Sequence, residues 1–245
     1  LGEDYPDEFQ PWTIEKLYNR IYNASWFKPE FMIVVEELGL PVGFSIIDAS
    51  EEYIRKHGRG AIYFFCIKPM FRSKVGEYLL DETLRRASQL SAYCIEASTL
   101  KSSWIEKLLL SRGFIKLRES YKMTLHLREF KLEDYITPFN LSLKDYQNSL
   151  KKDLLIAFND AFRDHPGFVE LSEEDIDKWL NDPYWSRERI VLAYLDDEVV
   201  GFVAYIVDEY GRGCIDVLGV RPKFQRKGIG RTLLCHALRR LKRDK

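Results

Sequence analysis

The residues best placed to do chemistry run from Ile215 to Leu234, Ile-Asp-Val-Leu-Gly-Val-Arg-Pro-Lys-Phe-Gln-Arg-Lys-Gly-Ile-Gly-Arg-Thr-Leu-Leu. An apolar, β-branched run is broken at Pro222, passes through a basic turn holding Gly228 and Gly230, and resumes as a helical pattern at Leu233 and Leu234. A strand that empties into such a turn and then into a helix makes an anion site. The first-turn amides have no acceptor inside the helix, and the macrodipole adds partial positive charge. Arg226, Lys227 and Arg231 place full charges around the same spot, and glycine permits close backbone approach. A diphosphate fits this arrangement. The Gly-x-Gly-x-x-Gly spacing of dinucleotide-binding folds is absent. One carboxylate, Asp216, interrupts the apolar strand. Burial there would raise its pKa toward that of a useful base; a structural bond to a neighbouring loop amide is the alternative.

The elements that must position this turn follow from periodicity. The first half predicts a helix from Thr13 to about Tyr22 and a hairpin of Phe31 to Glu37 with Val42 to Asp48. A short helix near Glu51 to Lys56, a strand Ala61 to Ile67 and a helix Val75 to Gln89 come next. A strand Ala92 to Ala97, a helix Ser103 to Arg112 and two strands within Ile115 to Leu127 complete it. The second half predicts a first strand at Thr124 to Arg128, helices over Leu143 to Phe162 and Glu173 to Leu180, and a hairpin within Ile190 to Val207. Strand Cys214 to Val220 and helix Gly228 to Arg243 close the chain.

That order is a repeat. Pro41-Val42-Gly43-Phe44 matches Val199-Val200-Gly201-Phe202, and Ile67-Lys68-Pro69-Met70-Phe71-Arg72 matches Val220-Arg221-Pro222-Lys223-Phe224-Gln225. The expected architecture is therefore α/β (α+β), two copies of one unit over 1–122 and 123–245, each a mixed, mostly antiparallel sheet flanked by helices. With 245 residues, 46% hydrophobic, the chain can build two such cores. A formal net charge of −1 gives no global pull on nucleic acid or on a membrane. The basic run Arg239 to Arg243 reads as a solvated helix end. Cys66, Cys94, Cys214 and Cys235 lack Cys-x-x-Cys spacing and sit in apolar contexts. They predict buried reduced thiols, a cytoplasmic setting and no metal.

Gln225-Arg226-Lys227-Gly228-Ile229-Gly230 resembles Gln/Arg-x-x-Gly-x-Gly/Ala, the acetyl-CoA pyrophosphate loop of the GNAT (GCN5-related) N-acetyltransferases. The resemblance covers most of the chain in order of elements but is motif-specific only around Val220 to Leu234. It implies acetyl-CoA as co-substrate and direct transfer to a primary amine, whether of a small molecule, a protein N-terminus or a lysine. It also implies that Leu218, Gly219 and Val220 run beside the pantetheine arm, with Gln225 to Arg231 around the diphosphate. Family members often carry a glutamate where Cys214 stands, which makes the carboxylate two residues later, Asp216, the candidate base or amine anchor. Strand alternation puts Cys214 and Asp216 on one face. The tandem arrangement, and the run Asn159 to Phe168, are similar to the mycothiol synthases, which acetylate an amino-sugar thiol precursor. That run would shape the acceptor side, with Trp179, Tyr184 and Trp185 as packing.

The first copy departs from the pattern. Val75 and Glu77 stand where the loop needs small residues, and Leu109 where catalytic members often carry a tyrosine. It reads as a structural or substrate-shaping unit, with a residual CoA-binding role through Arg72 and Lys74 as the alternative. The second copy reaches Lys245 where the family would still need a strand, a helix and a closing hairpin, so continuation is expected. A CoA-binding scaffold without turnover is the competing reading.

Overall fold

The computed structural model describes residues 13–22, 27–127, 129, 140–165, 168–181, 189–207 and 211–243. The chain divides into two compact units, Leu1–Glu119 and Ser120–Lys245. In the first, a short helix α1 (Ile14–Leu17) continues as a π-helical turn, and the hairpin β1 (Met32–Glu37) and β2 (Leu40–Asp48) follows. Helix α2 (Glu51–His57), strand β3 (Gly60–Ile67), helix α3 (Arg72–Gln89), strand β4 (Ile95–Ala97) and helix α4 (Trp104–Ser111) complete it. The sheet runs β1-β2-β3-β4, antiparallel except where β4 joins β3. Helix α2 is capped by Ser50, which accepts from the Tyr53 amide, and stopped by left-handed Gly58.

The second unit starts with β5 (Leu141–Asp145), then α5 (Lys151–Phe162), α6 (Glu173–Asn181), β6 (Ile190–Leu195), β7 (Glu198–Val207), β8 (Gly213–Val220) and α7 (Ile229–Arg243). Its sheet runs β5-β6-β7-β8, wholly antiparallel. Strand β6, Ile-Val-Leu-Ala-Tyr-Leu, is buried along nearly all its length because both faces are covered. On one face Val191, Val203 and Tyr205 pack with Ile229, Leu233 and Ala237 of α7. On the other, Ile190, Leu192 and Phe202 pack with Leu154 and Ala157 of α5 and Ile176 of α6.

Three expectations need correction. Residues 114–126 form no strand, although Ile115, Leu117, Tyr121 and Met123 give an alternating pattern. Those side chains stay exposed and no ladder among the described residues takes them. Among the described residues the first strand of the second unit is Leu141–Asp145, and Thr124 to Leu127 form none; Arg128 lies outside the described residues. The same finding removes the helix expected from Leu143. Leu141 and Leu143 alternate with Ser142 and Lys144, a period of two that pairs with β6, and the helix waits until Lys151. Finally, the cysteines are free of disulfides but not buried: Cys94 and Cys214 are exposed, Cys66 and Cys235 half-buried.

The repeat shows in the backbone. Between β1 and β2 the register slips so that Val42 has no partner, and between β6 and β7 Val200 is left over in the same way. Between β2 and β3 the extra residue is Tyr63; between β7 and β8 it is Asp216. Each strand end is then tied by an equivalent bond, the Lys68 amide to the Val42 carbonyl and the Arg221 amide to the Val200 carbonyl, at 2.8 and 2.9 Å.

Glycine is required where β7 crosses β8. A Cβ on Gly201 would lie 2.6 Å from the Gly219 carbonyl oxygen, a backbone atom that cannot swing aside, and 3.3 Å from Leu233. Gly230 would meet only Val220 at 3.5 Å and Leu218 at 3.8 Å, ordinary contacts. Gly201→Ala should therefore cost about 1–3 kcal/mol through overpacking, while Gly230→Ala, inside a helix, should cost nothing. Urea unfolding of the two variants side by side checks this; equal stability would show that the strand crossing is not the tight point.

Candidate active site

Strand β8, the last in its sheet among the described residues, delivers the chain to the loop. Ile215, Leu218 and Val220 pack on the α7 side, and Val217 on the α5 side. Gly219 is buried, and a Cβ there would sit 2.9 Å from both Ala161 and Phe202 and 3.2 Å from Phe162. Its lack of a side chain lets α5 close on the strand. After Val220 the chain turns through Pro222–Phe224 and reaches Gln225, whose side-chain amide donates to the Val220 carbonyl at 3.0 Å.

Arg226 and Gly228 then take left-handed backbone, φ 62° and 84°. Helix α7 starts at Ile229, and Gly228 supplies its first carbonyl acceptor, to the Thr232 amide at 3.0 Å. Left-handed residues beside a helix start turn successive amides inward, the geometry of an anion-binding nest. Ile229 is buried and anchors the helix, whereas Gln225 to Gly228 and Arg231 are exposed. The nitrogens of Lys223 and Lys227 lie 4.8 and 5.5 Å from the Phe224 ring centroid, so the rim of the loop is basic. The predicted set Leu218, Gly219, Val220 and Gln225 to Arg231 is thus one continuous edge of strand, turn and helix start.

The equivalent stretch of the first unit has another conformation. Helix α3 begins at Arg72, directly after Pro69–Phe71, a full turn earlier than α7 does relative to its strand. No residue from Pro69 to Gly76 has a positive φ. Val75, branched at Cβ, is buried in the helix where Gly228 turns left-handed. The charges there are engaged within the unit: Lys74 donates to Glu37 at 2.5 Å, and Glu77 accepts from Arg112 at 2.9 Å. Leu109 is buried in the core below α4.

Asp216 is the extra residue of the β7–β8 bulge. The bulge overturns the alternation argument, because Ile215 and Leu218, three positions apart, face the same side. Alternation therefore does not fix which face Asp216 takes. Asp216 keeps an exposed surface, yet desolvation by its surroundings holds its carboxyl above the ordinary carboxylate value.

Within the run Asn159 to Phe168, Asn159 and Asp160 hold neighbouring elements in place. Asn159 exchanges two hydrogen bonds with the backbone of Leu171, both at 2.9 Å. Asp160 accepts from Arg221 Nε at 2.7 Å and pairs with Arg163. Arg221 also donates to Glu198 and to the Val199 carbonyl. Burial alone would lower the Arg221 pKa, but the bonds to Asp160 and Glu198 outweigh it and raise it. This latch, which fixes the end of β8 to α5 and β7, was not read from the sequence; the arginine next to Pro222 was the available signal. Phe162 and Trp179 pack around Phe158, the role expected of Trp179. Pro166, Gly167, Tyr184 and Trp185 lie outside the described residues. Arg240 in the basic helix end pairs with Asp145. Among the described residues no group of acidic, cysteine or histidine side chains could hold a metal ion, and no helix is long and apolar enough to cross a membrane.

With this geometry established, comparison with known proteins is informative. Residues 151–245 match the Acetyltransferase (GNAT) family. The mycothiol acetyltransferase of Streptomyces scabiei is 28% identical over 133 residues, 53% of this chain and 42% of that protein. That of Mycobacterium ulcerans is 29% identical over 143 residues, 44% of its length. The chain thus matches less than half the length of these relatives. The crystal structure of a GCN5-related N-acetyltransferase from Sphaerobacter thermophilus superposes over 99% of this chain and 76% of its own, with TM-score 0.74 at 16% identity. A glucosamine N-acetyltransferase region of a fungal β-N-acetylglucosaminidase covers the whole chain at TM-score 0.60. The tandem GNAT-like fold read from the sequence is borne out.

The raised carboxyl of Asp216 has a thermodynamic consequence. A carboxyl whose folded pKa lies above its unfolded one opposes folding once it ionises, so its cost is absent at low pH and complete above the folded pKa. Asp216→Asn should melt higher than the parent at pH 7, and the advantage should vanish as pH falls below the ordinary aspartate value of about 3.9. Melting curves from pH 3 to pH 7 test this; a pH-independent difference would remove the desolvation argument.

Proposed function

We propose that this chain transfers the acetyl group of acetyl-CoA to a primary amine, with the active site in the C-terminal unit and the N-terminal unit structural or substrate-shaping. One observation carries the reading: only the second unit combines left-handed residues at 226 and 228 with a helix start at Ile229, while the first runs helix through the same place. The family match of residues 151–245 and the relatives' acetyltransferase activity support it.

In this reading the diphosphate lies against the amides from Lys227 to Arg231, with Arg226, Lys227 and Arg231 around it. The pantetheine arm runs along the open edge of β8 beside Leu218 to Val220. A β8 amide donates to the thioester oxygen, a preorganised partner for the charge that develops there. The neutral amine attacks the carbonyl, the C–N bond forms, the C–S bond breaks and CoA leaves as thiolate. The amine's extra proton passes to a base, directly or through water. Asp216 fills that role, because its raised carboxyl is a better proton acceptor than an ordinary aspartate. The acceptor is a small-molecule amine, a protein N-terminus or a lysine.

Calorimetry with acetyl-CoA on the parent and on Gly228→Glu/Gly230→Glu tests the cofactor site. Binding should fall at least 100-fold in the double variant, since each carboxylate repels the diphosphate and Gly228 also loses its left-handed turn. Unchanged heat would dismiss the loop. Asp216→Asn, assayed for free CoA release over an amine panel, should lose about 10²- to 10⁴-fold in kcat with acetyl-CoA affinity retained. Tight binding with no turnover of any amine by the parent would favour a CoA-binding scaffold instead.

A further inference from the structure

The N-terminal unit lacks the phosphate turn but keeps an opening beside it. Strands β3 and β4 pair over only three positions, Gly60 with Ile95, Ala61 with Glu96 and Ile62 with Ala97, and then part. Between the diverging strands and α4 lies a cavity of about 380 Å³. Phe65, Ile67, Trp104 and Leu109 are among its walls, and Arg72 is the only charged residue among the described ones that line it. The Arg72 guanidinium lies 5.1 Å from the centre of the Trp104 ring, which restricts it to the cavity wall.

We propose that this cavity binds a small apolar monocarboxylate, with Arg72 as the partner of its carboxylate. The volume lies at the low end of small-molecule sites and has room for roughly a dozen non-hydrogen atoms at about 30 Å³ each. The walls suit a hydrocarbon body. A carboxylate taken from water into such a place needs a cation, and the lining supplies one guanidinium. A dianion would leave its second charge uncompensated. Acetyl-CoA is a poor occupant, because the extra first turn of α3 stands where its diphosphate would go, while Lys74 and Glu77 are engaged by Glu37 and Arg112.

The probe is octanoate, with octanol as the uncharged control. Cys66 lines the same cavity, and burial pushes its thiol up, which makes its alkylation slow and sensitive to occupancy. On the intact chain, octanoate should protect Cys66 from iodoacetamide, read by peptide mass mapping, while CoA should leave it unprotected. Calorimetry should show octanoate binding that Arg72→Gln weakens about 10- to 100-fold and that Cys66→Trp, which fills the space, abolishes. Acetyl-CoA affinity should not change in either variant. Should a variant not fold, the protection pattern of the parent decides alone. Octanol binding as tightly as octanoate, CoA protecting Cys66, or no protection by octanoate would each overturn the proposal.

Discussion

Everything at the candidate site depends on where one helix is allowed to begin. After β8 the backbone turns left-handed at Arg226 and again at Gly228, so α7 can start no earlier than Ile229. The amides that would have been consumed in a first turn are left without acceptors inside the helix. Lys227 and Arg231 add charge, but the constraint is a dihedral angle. It explains why a branched residue at the matching position of the first unit changes more than a side chain: with Val75 there, the chain continues as helix and the turn ceases to exist.

A second layer holds that turn in place. Gly201 and Gly219 let β7, β8 and α5 approach closely. Arg221 joins the strand end to Asp160 on α5 and Glu198 on β7. Gln225 folds back on the Val220 carbonyl. The glycine contacts are buried and the Arg221–Asp160 bond half-buried, so the loop sits on a fixed base although its own residues are exposed, which is how a binding loop gains precision from a rigid scaffold.

Much of this was legible in the residues. The loop could be read from its spacing, because glycine and charge at those positions have few other uses, and the hairpins and long helices could be read from their periods. What escaped depended on partners distant in sequence. Ile115, Leu117, Tyr121 and Met123 alternate like a strand, yet a strand exists only where another pairs with it. Leu141 to Asp145 is too short and polar to announce itself before β6 is there to take it. The bulge at Asp216 is invisible in one strand alone, since an extra residue is extra only relative to its neighbour, and simple alternation cannot be carried through it.

The paired bulges carry one more implication. Tyr63 and Asp216 occupy the same irregular step in the two sheets although one is an aromatic phenol and the other an acid. A surplus residue whose backbone geometry persists while its chemistry is exchanged marks a position outside the sheet's own bonding needs. Duplication of an ancestral unit would then leave each half with one side chain that the ladder does not prescribe, open to independent specialisation without re-engineering the framework beneath it.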